Sequence, residues 1–329
     1  MTEIPILEFK GGSLGHTKLF QKTNGNKFVR KSINSQIERE YGLVRWLSQY
    51  KRLQSYNELF PNIFPKVLNL GSYADYYYMD LEFFDGYVNV SDFLVSESDK
   101  SKIYVLVEKI LDLIEQMYSC ARFISPHNAL QIYNQEEVIR KLEDAKFSED
   151  FNQFTKYPVI RINGVDTKAL ETNIELVTSK LAEISIPFES VTHGNLTLEN
   201  IMVNPDTMDV KFIDPYEENV VDVLESDFSQ ILQSCQSNYE VLNTSSFSVE
   251  HNCISYIENF ALGTKVFEKY FKERFNRRFS VNKFLSDYFH FSQFVRMLPF
   301  KVKSNYPEKA ILFYALACKL LTEMNDEQL

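Results

Sequence analysis

Cysteine is scarce in this chain: four residues in 329, Cys120, Cys235, Cys253 and Cys318, scattered with no paired spacing. That pattern excludes a disulfide framework and a thiolate zinc site, and reads as reduced, mostly buried thiols of a cytoplasmic protein. The five histidines form no ligand motif either. Positive charge is in deficit, with 35 Lys plus Arg against 45 Asp plus Glu and a formal net charge of -10. Such a balance argues against extended nucleic-acid binding, and leaves any substrate phosphate to local basic side chains and metal. No run of about 18 uncharged apolar residues occurs, so no membrane-spanning helix is expected. Met1-Thr2-Glu3-Ile4-Pro5 lacks the basic segment and apolar run of a signal peptide. Internal repeats and low-complexity tracts are absent, and nothing specifies an oligomer. What remains is a chain with 44% hydrophobic residues, enough for a sizeable core and about two domains or lobes.

The most informative stretch is His193-Gly194-Asn195-Leu196-Thr197-Leu198-Glu199-Asn200-Ile201-Met202, followed by Phe212-Ile213-Asp214-Pro215. Two short strands, 201–203 and 210–213, flank the turn formers Asn204-Pro205-Asp206-Thr207. The resulting hairpin brings Asn200 and Asp214 to the same end. An amide oxygen and a carboxylate placed together suit Mg²⁺, which takes oxygen donors and completes its shell with water and nucleotide phosphates. In a protein-kinase catalytic loop an aspartate five residues before the metal asparagine accepts the proton of the attacking hydroxyl. Here that position is Asn195: the spacing is kept, but an amide cannot take the proton.

Upstream, Phe9 to Phe20 reads as strand, turn, strand, with Gly11, Gly12 and Ser13 in the turn. Glycines permit close backbone approach, so such a turn can lie over nucleotide phosphates; a plain hairpin satisfies the same pattern. Lys27 to Ile33 is a third strand carrying basic residues. Lys31 is the expected phosphate-binding lysine, with Lys27 and Arg30 as competitors and a solvated edge-strand lysine as the bland reading. From Ser35 to Tyr50, Ile37, Tyr41, Val44 and Leu47 recur at helical spacing. Stepping about 100° per residue places Glu40 within that stripe, between Leu47 and Val44. A carboxylate facing the protein needs a partner, so a Lys31 to Glu40 ion pair is expected.

At this point the chain resembles the aminoglycoside phosphotransferase and choline kinase family, the small-molecule branch of the protein-kinase-like fold. His193, Gly194, Asn200, Ile213 and Asp214 match the family's catalytic loop and metal strand, and Asn195 departs from it. The resemblance implies an α+β, two-lobed protein-kinase-like fold: a small antiparallel β-sheet N-lobe over residues 1–88 and a large, mostly helical C-lobe over 89–329. It further implies ATP or another NTP and Mg²⁺ as cofactors, with Asn195 at the base position, Asn200 and Asp214 holding metal, and His193 shaping the loop. Tyr76 to Gly86 resembles the last N-lobe strand and hinge, which places Glu82, Phe83 and Phe84 at the nucleobase edge. Asp227, at the start of a helix, takes the place of the family's loop-supporting aspartate, although a simple N-cap reads the same way.

Helical patterns are expected at 101–117, 135–144, 167–184, 289–300 and 310–324. The helices between hinge and catalytic loop are where the family builds its acceptor pocket. They carry no dense acidic cluster for a polycationic aminoglycoside and no aromatic cage for choline. Arg296, whose fork suits carboxylate or phosphate, is a candidate for an anionic substrate group, with a structural ion pair as the alternative. The low-Gly, Asn/Lys/Phe/Tyr-rich composition and Leu232-Gln233-Ser234 with Tyr239-Glu240 resemble kinase-like proteins found with bacterial surface-carbohydrate assembly. The expectation is therefore a kinase of a small hydroxylated molecule, a sugar or polyol, impaired by Asn195. Because every other element is retained, an engineered Asp→Asn change in a native enzyme is favoured. The alternative is a nucleotide-binding pseudokinase serving as an interaction module.

Overall fold

The computed structural model describes residues 3–9, 15–34, 36, 39–120, 122–216, 219–304 and 306–326, with backbone alone at Arg39, Glu40 and Tyr41. The expected turn residues Gly11, Gly12 and Ser13, and the side chain of Glu40, lie outside this description. Strands β1 (Glu3–Phe9), β2 (His16–Lys22) and β3 (Lys27–Asn34) are followed by helix α1 (Arg39–Leu59), then β4 (Val67–Tyr73) and β5 (Tyr76–Glu82). The five strands form one antiparallel sheet in the order β1-β2-β3-β5-β4. Of β5 only Met79, Asp80 and Leu81 are buried, where the strand crosses the core.

The C-lobe begins with β6 (Val88–Asn89), α2 (Val90–Ser96), α3 (Lys100–Cys120) and β7 (Arg122–Ile124). Asn89 caps α2 by accepting from the Asp92 N–H at 2.7 Å. Helix α3 buries Ile103, Leu106, Val107, Ile110 and Ile114, the face its periodicity marks. Then come α4 (Ala129–Tyr133), a π-helical stretch Asn134–Ile139, α5 (Arg140–Ala145), α6 (Glu149–Thr155), β8 (Val159–Ile162), β9 (Val165–Lys168) and α7 (Leu170–Glu183). Strand β10 (Phe188–Ser190) leads into the catalytic-loop segment, β11 (Ile201–Val203) and β12 (Val210–Phe212). The chain closes with α8 (Leu224–Cys235), α9 (Tyr239–Leu242), β13 (Phe247–Glu250), β14 (Cys253–Tyr256), α10 (Leu262–Arg278), α11 (Lys283–Val302) and α12 (Lys309–Asp326). Among the described residues no helix is long and apolar enough to cross a membrane.

Two expectations are corrected here. The helix expected over 35–50 runs from Arg39 to Leu59, and its supposed apolar face is open: Val44 is 59% and Leu47 39% exposed. The buried side is set instead by Gly42, Trp46, Leu53 and Tyr56, a stripe whose second half lies beyond the window that suggested the first. The periodic argument that turned Glu40 inward falls with that face. Second, the helix expected over 167–184 starts at Leu170, because 165–168 is strand β9, with the Thr167 hydroxyl donating to the Ile160 carbonyl at 3.2 Å. Strands β13-β14-β8-β9 make a four-stranded sheet within the helical lobe, with β14 parallel to β8.

Hydrophobic packing divides into two clusters. One joins Ile33, Trp46, Leu53, Met79 and Leu81 of the N-lobe to α2, α3, the catalytic-loop residues Leu196 and Leu198, Phe212, α8 and α10. The other is the helical core of α4 to α7, α11 and α12. Continuous burial across the first cluster fixes α1 against the elements that carry the site.

Candidate active site

The hairpin of β11 and β12 forms in the expected place, with Ile201 opposite Phe212 and Val203 opposite Val210. The Ile213 N–H donates to the Asn200 carbonyl at 2.9 Å, so the two ends of the hairpin close on one another. The Asn200 side chain donates from Nδ2 to the Asn195 carbonyl at 2.8 Å, and Asn195 Nδ2 donates to the Asp214 carbonyl at 3.3 Å. Asp214 adopts φ +58°, the left-handed region that Asp tolerates better than most residues. That backbone turn ends the strand and aims the carboxylate at β3. Lys31 Nζ meets Asp214 Oδ1 across 183 residues of sequence. The competing basic residues of β3 are committed elsewhere. Arg30 forms a two-pronged pair with Asp80 at 2.6 and 2.9 Å, and Lys27 pairs with Asp85 at 3.0 Å.

Burial opposes the Asp214 charge, but the Lys31 ammonium and hydrogen bonds from Lys31 and Gln49 override it and hold the carboxyl below its ordinary value. Asp214 is therefore ionised near neutral pH. Asn200 spends its N–H₂ on the loop and keeps its oxygen as the side chain's acceptor. A carboxylate and an amide oxygen on the two ends of one hairpin fit Mg²⁺, which uses one or two protein oxygens beside phosphates rather than a full cage. Among the described residues no group of three or more His, Cys, Asp or Glu gathers as a metal cage.

His193 is fully buried, with Phe64 stacked on it at 5.9 Å and Phe212 edge-on at 5.7 Å. The Asn195 N–H donates to its Nδ1 at 3.2 Å, which makes Nε2 the protonated nitrogen, donating to the Ile213 carbonyl at 3.0 Å. Burial pushes its pKa down to about 3, so the ring stays neutral and ties the loop to the strand that ends in Asp214. Gly194 sits at φ +75°, and a Cβ there would run into the Asn219 amide, so the position demands glycine.

Helix α8 supports this loop with side chains that sequence reasoning mostly missed. Asp227 accepts the His193 and Gly194 N–H groups at 2.7 Å each, through different oxygens. Gln230 accepts the Leu196 N–H at 2.5 Å and donates to the Gly194 carbonyl at 2.6 Å, and Ser234 Oγ accepts the Leu198 N–H at 3.0 Å. Residues 227, 230 and 234 share one helix face. Seven of the twelve residues of α8 are polar, and it is their burial, not their spacing, that marks these three, so the sequence offered no distinguishing signal for Gln230 and Ser234. Burial pushes the Asp227 carboxyl up to about 7 against the pull of its two N–H donors.

Glu82, Phe83 and Phe84, expected to form the hinge, lie at the end of β5 and just after it. Glu82 is opposite Phe28 of β3, its N–H donates to the Lys66 carbonyl at 2.9 Å, the Phe83 ring lies 5.7 Å from Lys27 Nζ, and Phe84 packs on Tyr87. Arg296 is partly buried and paired with Glu137 at 2.8 Å, over the rings of Tyr133 and Tyr216, which favours the structural alternative for that residue.

No protein-family model and no curated protein matches the chain. Among 1119 solved chains that match is one described as the GDP complex of a point mutant of an aminoglycoside 2'-phosphotransferase-IIIa. It aligns with TM-score 0.56 over 97% of this chain and 91% of that one, at 12% identity. The fold is the two-lobed protein-kinase-like fold. At that identity the likeness concerns the fold alone, and acceptor chemistry is set by local residues.

Proposed function

We propose that the chain is a nucleotide- and Mg²⁺-dependent phosphotransferase acting on a hydroxyl of a small molecule. The observation that carries this reading is the convergence of Lys31, Asn195, Asn200 and Asp214 where β3 meets the end of the β11 and β12 hairpin. Lys31 binds nucleotide phosphates, Asn200 and Asp214 hold the metal, the Glu82 to Phe84 hinge receives the base of ATP or another NTP, and Gly11, Gly12 and Ser13, which lie outside the described residues, contact its phosphates. When bound, the ion supplies neutralisation of the charge on the transferred phosphoryl group. Asn195 orients the acceptor hydroxyl by hydrogen bonding, and it cannot remove the proton. Loss of a general base costs on the order of 10²–10⁴ in rate, so the chain as it stands is a slow enzyme. A sugar or polyol is the acceptor class, in keeping with the surface-carbohydrate resemblance. The intact metal pair and loop support favour an enzyme with an altered base over a pseudokinase.

The test is Mg²⁺-dependent release of nucleoside diphosphate from ATP and GTP with a panel of sugars, polyols, amino alcohols and aminoglycosides, run on this chain and on Asn195→Asp. Acceptor-dependent turnover that rises by at least a hundredfold with aspartate is the expected result. Nucleotide binding without transfer in either protein would favour the pseudokinase, and absent nucleotide binding in both would refute the proposal.

A further inference from the structure

Behind helix α8, on the side away from the catalytic loop, the C-lobe leaves a cavity of about 490 Å³. Its walls come from four helices, with Phe228 and Leu232 on α8, Lys272 and Asn276 on α10, His290 on α11 and Met324 on α12. Stepping about 100° per residue, Phe228, Leu232 and Gln236 centre on the face of α8 opposite to Asp227, Gln230 and Ser234, the residues that hold the loop. The width of a helix therefore separates this cavity from the site described above. Small-molecule pockets run from about 300 to 1,000 Å³, so the space is large enough for a ligand.

The polar groups at its walls have unspent hydrogen-bonding capacity. His290 is only 3% exposed, and its Nε2 is matched with the Ser237 hydroxyl at 3.0 Å. Its Nδ1 has no hydrogen-bond partner among the described residues and is not one of the polar atoms sealed away from solvent, so it opens on the cavity that the ring lines. Burial, with the Lys272 charge nearby, pushes the His290 pKa down to about 3, and the ring is neutral. When the Ser237 hydroxyl donates to Nε2, Nδ1 carries the proton and is a donor. Lys272 and Asn276 stand one turn apart on α10. Glu268, the partner of Lys272, is 3.8 Å away, and the Asn276 amide makes no hydrogen bond among the described residues. Two carboxylates also line the cavity: Asp287, matched by Lys283 at 2.8 Å, and Glu323.

We propose that this cavity is a binding site for a small amphipathic carboxylate, its head held by Lys272, Asn276 and His290 Nδ1 and its apolar part lying against Phe228, Leu232 and Met324. Ammonium, amide N–H₂ and imidazole N–H are all donors, and an ionised carboxylate is an acceptor-only head that serves them together. An ammonium head would meet Lys272 with like charge. A neutral alcohol would gain the apolar contacts and forgo the charged hydrogen bond.

The site needs neither nucleotide nor acceptor, so its fate is independent of the phosphotransferase reading. The probe is anilinonaphthalenesulfonate, a fluorescent aromatic anion, displaced in turn by octanoate, octanol and octylammonium on the full chain, with thermal unfolding of every variant alongside. Wild type is expected to bind the probe saturably and to release it to octanoate at concentrations at least tenfold lower than to octylammonium. Lys272→Met, at a partly exposed position, should weaken octanoate at least fivefold and leave octanol within threefold. His290→Phe should do the same where it folds. Asn276→Trp, which adds a large ring at the exposed rim, should abolish displaceable binding. Absence of saturable binding in wild type overturns the proposal. So does unchanged octanoate affinity in Lys272→Met, displaceable binding that survives Asn276→Trp, or octylammonium binding as tightly as octanoate.

Discussion

Substitution of Gln230 provides a sharp test of how the catalytic loop is held. The side chain is 3% exposed and makes two short hydrogen bonds to backbone, accepting from Leu196 at 2.5 Å and donating to Gly194 at 2.6 Å. Leucine has similar bulk and neither function, so Gln230→Leu strands one buried N–H and one buried C=O. Each orphaned group costs about 1–3 kcal/mol, and the expected loss is roughly 2–5 kcal/mol. Guanidinium denaturation at fixed pH should show a lower midpoint with an unchanged slope. Gln230→Glu is isosteric, and its outcome depends on pH. As a neutral acid it can still accept from Leu196 and donate to the Gly194 carbonyl, whereas as a carboxylate it opposes that carbonyl. Its folded pKa is therefore raised above the unfolded value. The stability it contributes is fully present below the unfolded pKa and is lost as pH rises through the folded one. Relative to wild type, Gln230→Glu should be nearly neutral at about pH 4, below the unfolded glutamate pKa of about 4.3, and clearly destabilised at about pH 8. A loss below about 1 kcal/mol for Gln230→Leu, or an equal deficit at both pH values for Gln230→Glu, would refute the account of loop support.

The partly buried pair of Arg296 and Glu137 should behave as a unit: Glu137→Leu leaves an uncompensated guanidinium and should cost about 1–3 kcal/mol. The double variant Glu137→Leu/Arg296→Met should recover much of that loss in thermal unfolding; equal destabilisation by single and double variants would argue against pairing. Glu240, largely enclosed by α9 and its surroundings, has its carboxyl pushed up to about 7 by burial, and its Oε1 has no hydrogen-bond partner. Because the folded pKa lies above the unfolded one, the protein should lose stability as pH rises from about 4.5 to about 7. Gln at 240 should reduce that slope by up to about 2–3 kcal/mol across the window. A pH profile identical in wild type and Glu240→Gln would contradict the assignment.

Motifs confined to short segments were legible in the sequence because their geometry is local. The hairpin of β11 and β12 follows from turn residues between two apolar triplets, and it alone brings Asn200 and Asp214 to one end. Lys31 was separable from Lys27 and Arg30 only by the partners that the folded sheet provides: Asp214, Asp85 and Asp80, respectively. The face of α1 was misread for a physical reason. Periodicity assigns the inward side by apolar content, but part of this helix's inward side carries Gln49 and Arg52, which bond to polar backbone and charge across the cleft, while Val44 and Leu47 face solvent. The polar ridge of Asp227, Gln230 and Ser234 on buried α8 escaped for the same reason, its partners being backbone groups of a loop more than 30 residues upstream.

By itself the sequence determined the first three strands, the hairpin of β11 and β12 and the amide at position 195, because each is encoded by residues within a few positions of one another. Tertiary structure alone decided which lysine meets Asp214, which face of α1 packs on the loop at 192–200, what holds that loop from behind, and that β8 and β9 join β13 and β14 in one sheet. Those outcomes depend on hydrogen bonds and burial between segments up to 183 residues apart, whose energies exist only once the chain has closed on itself.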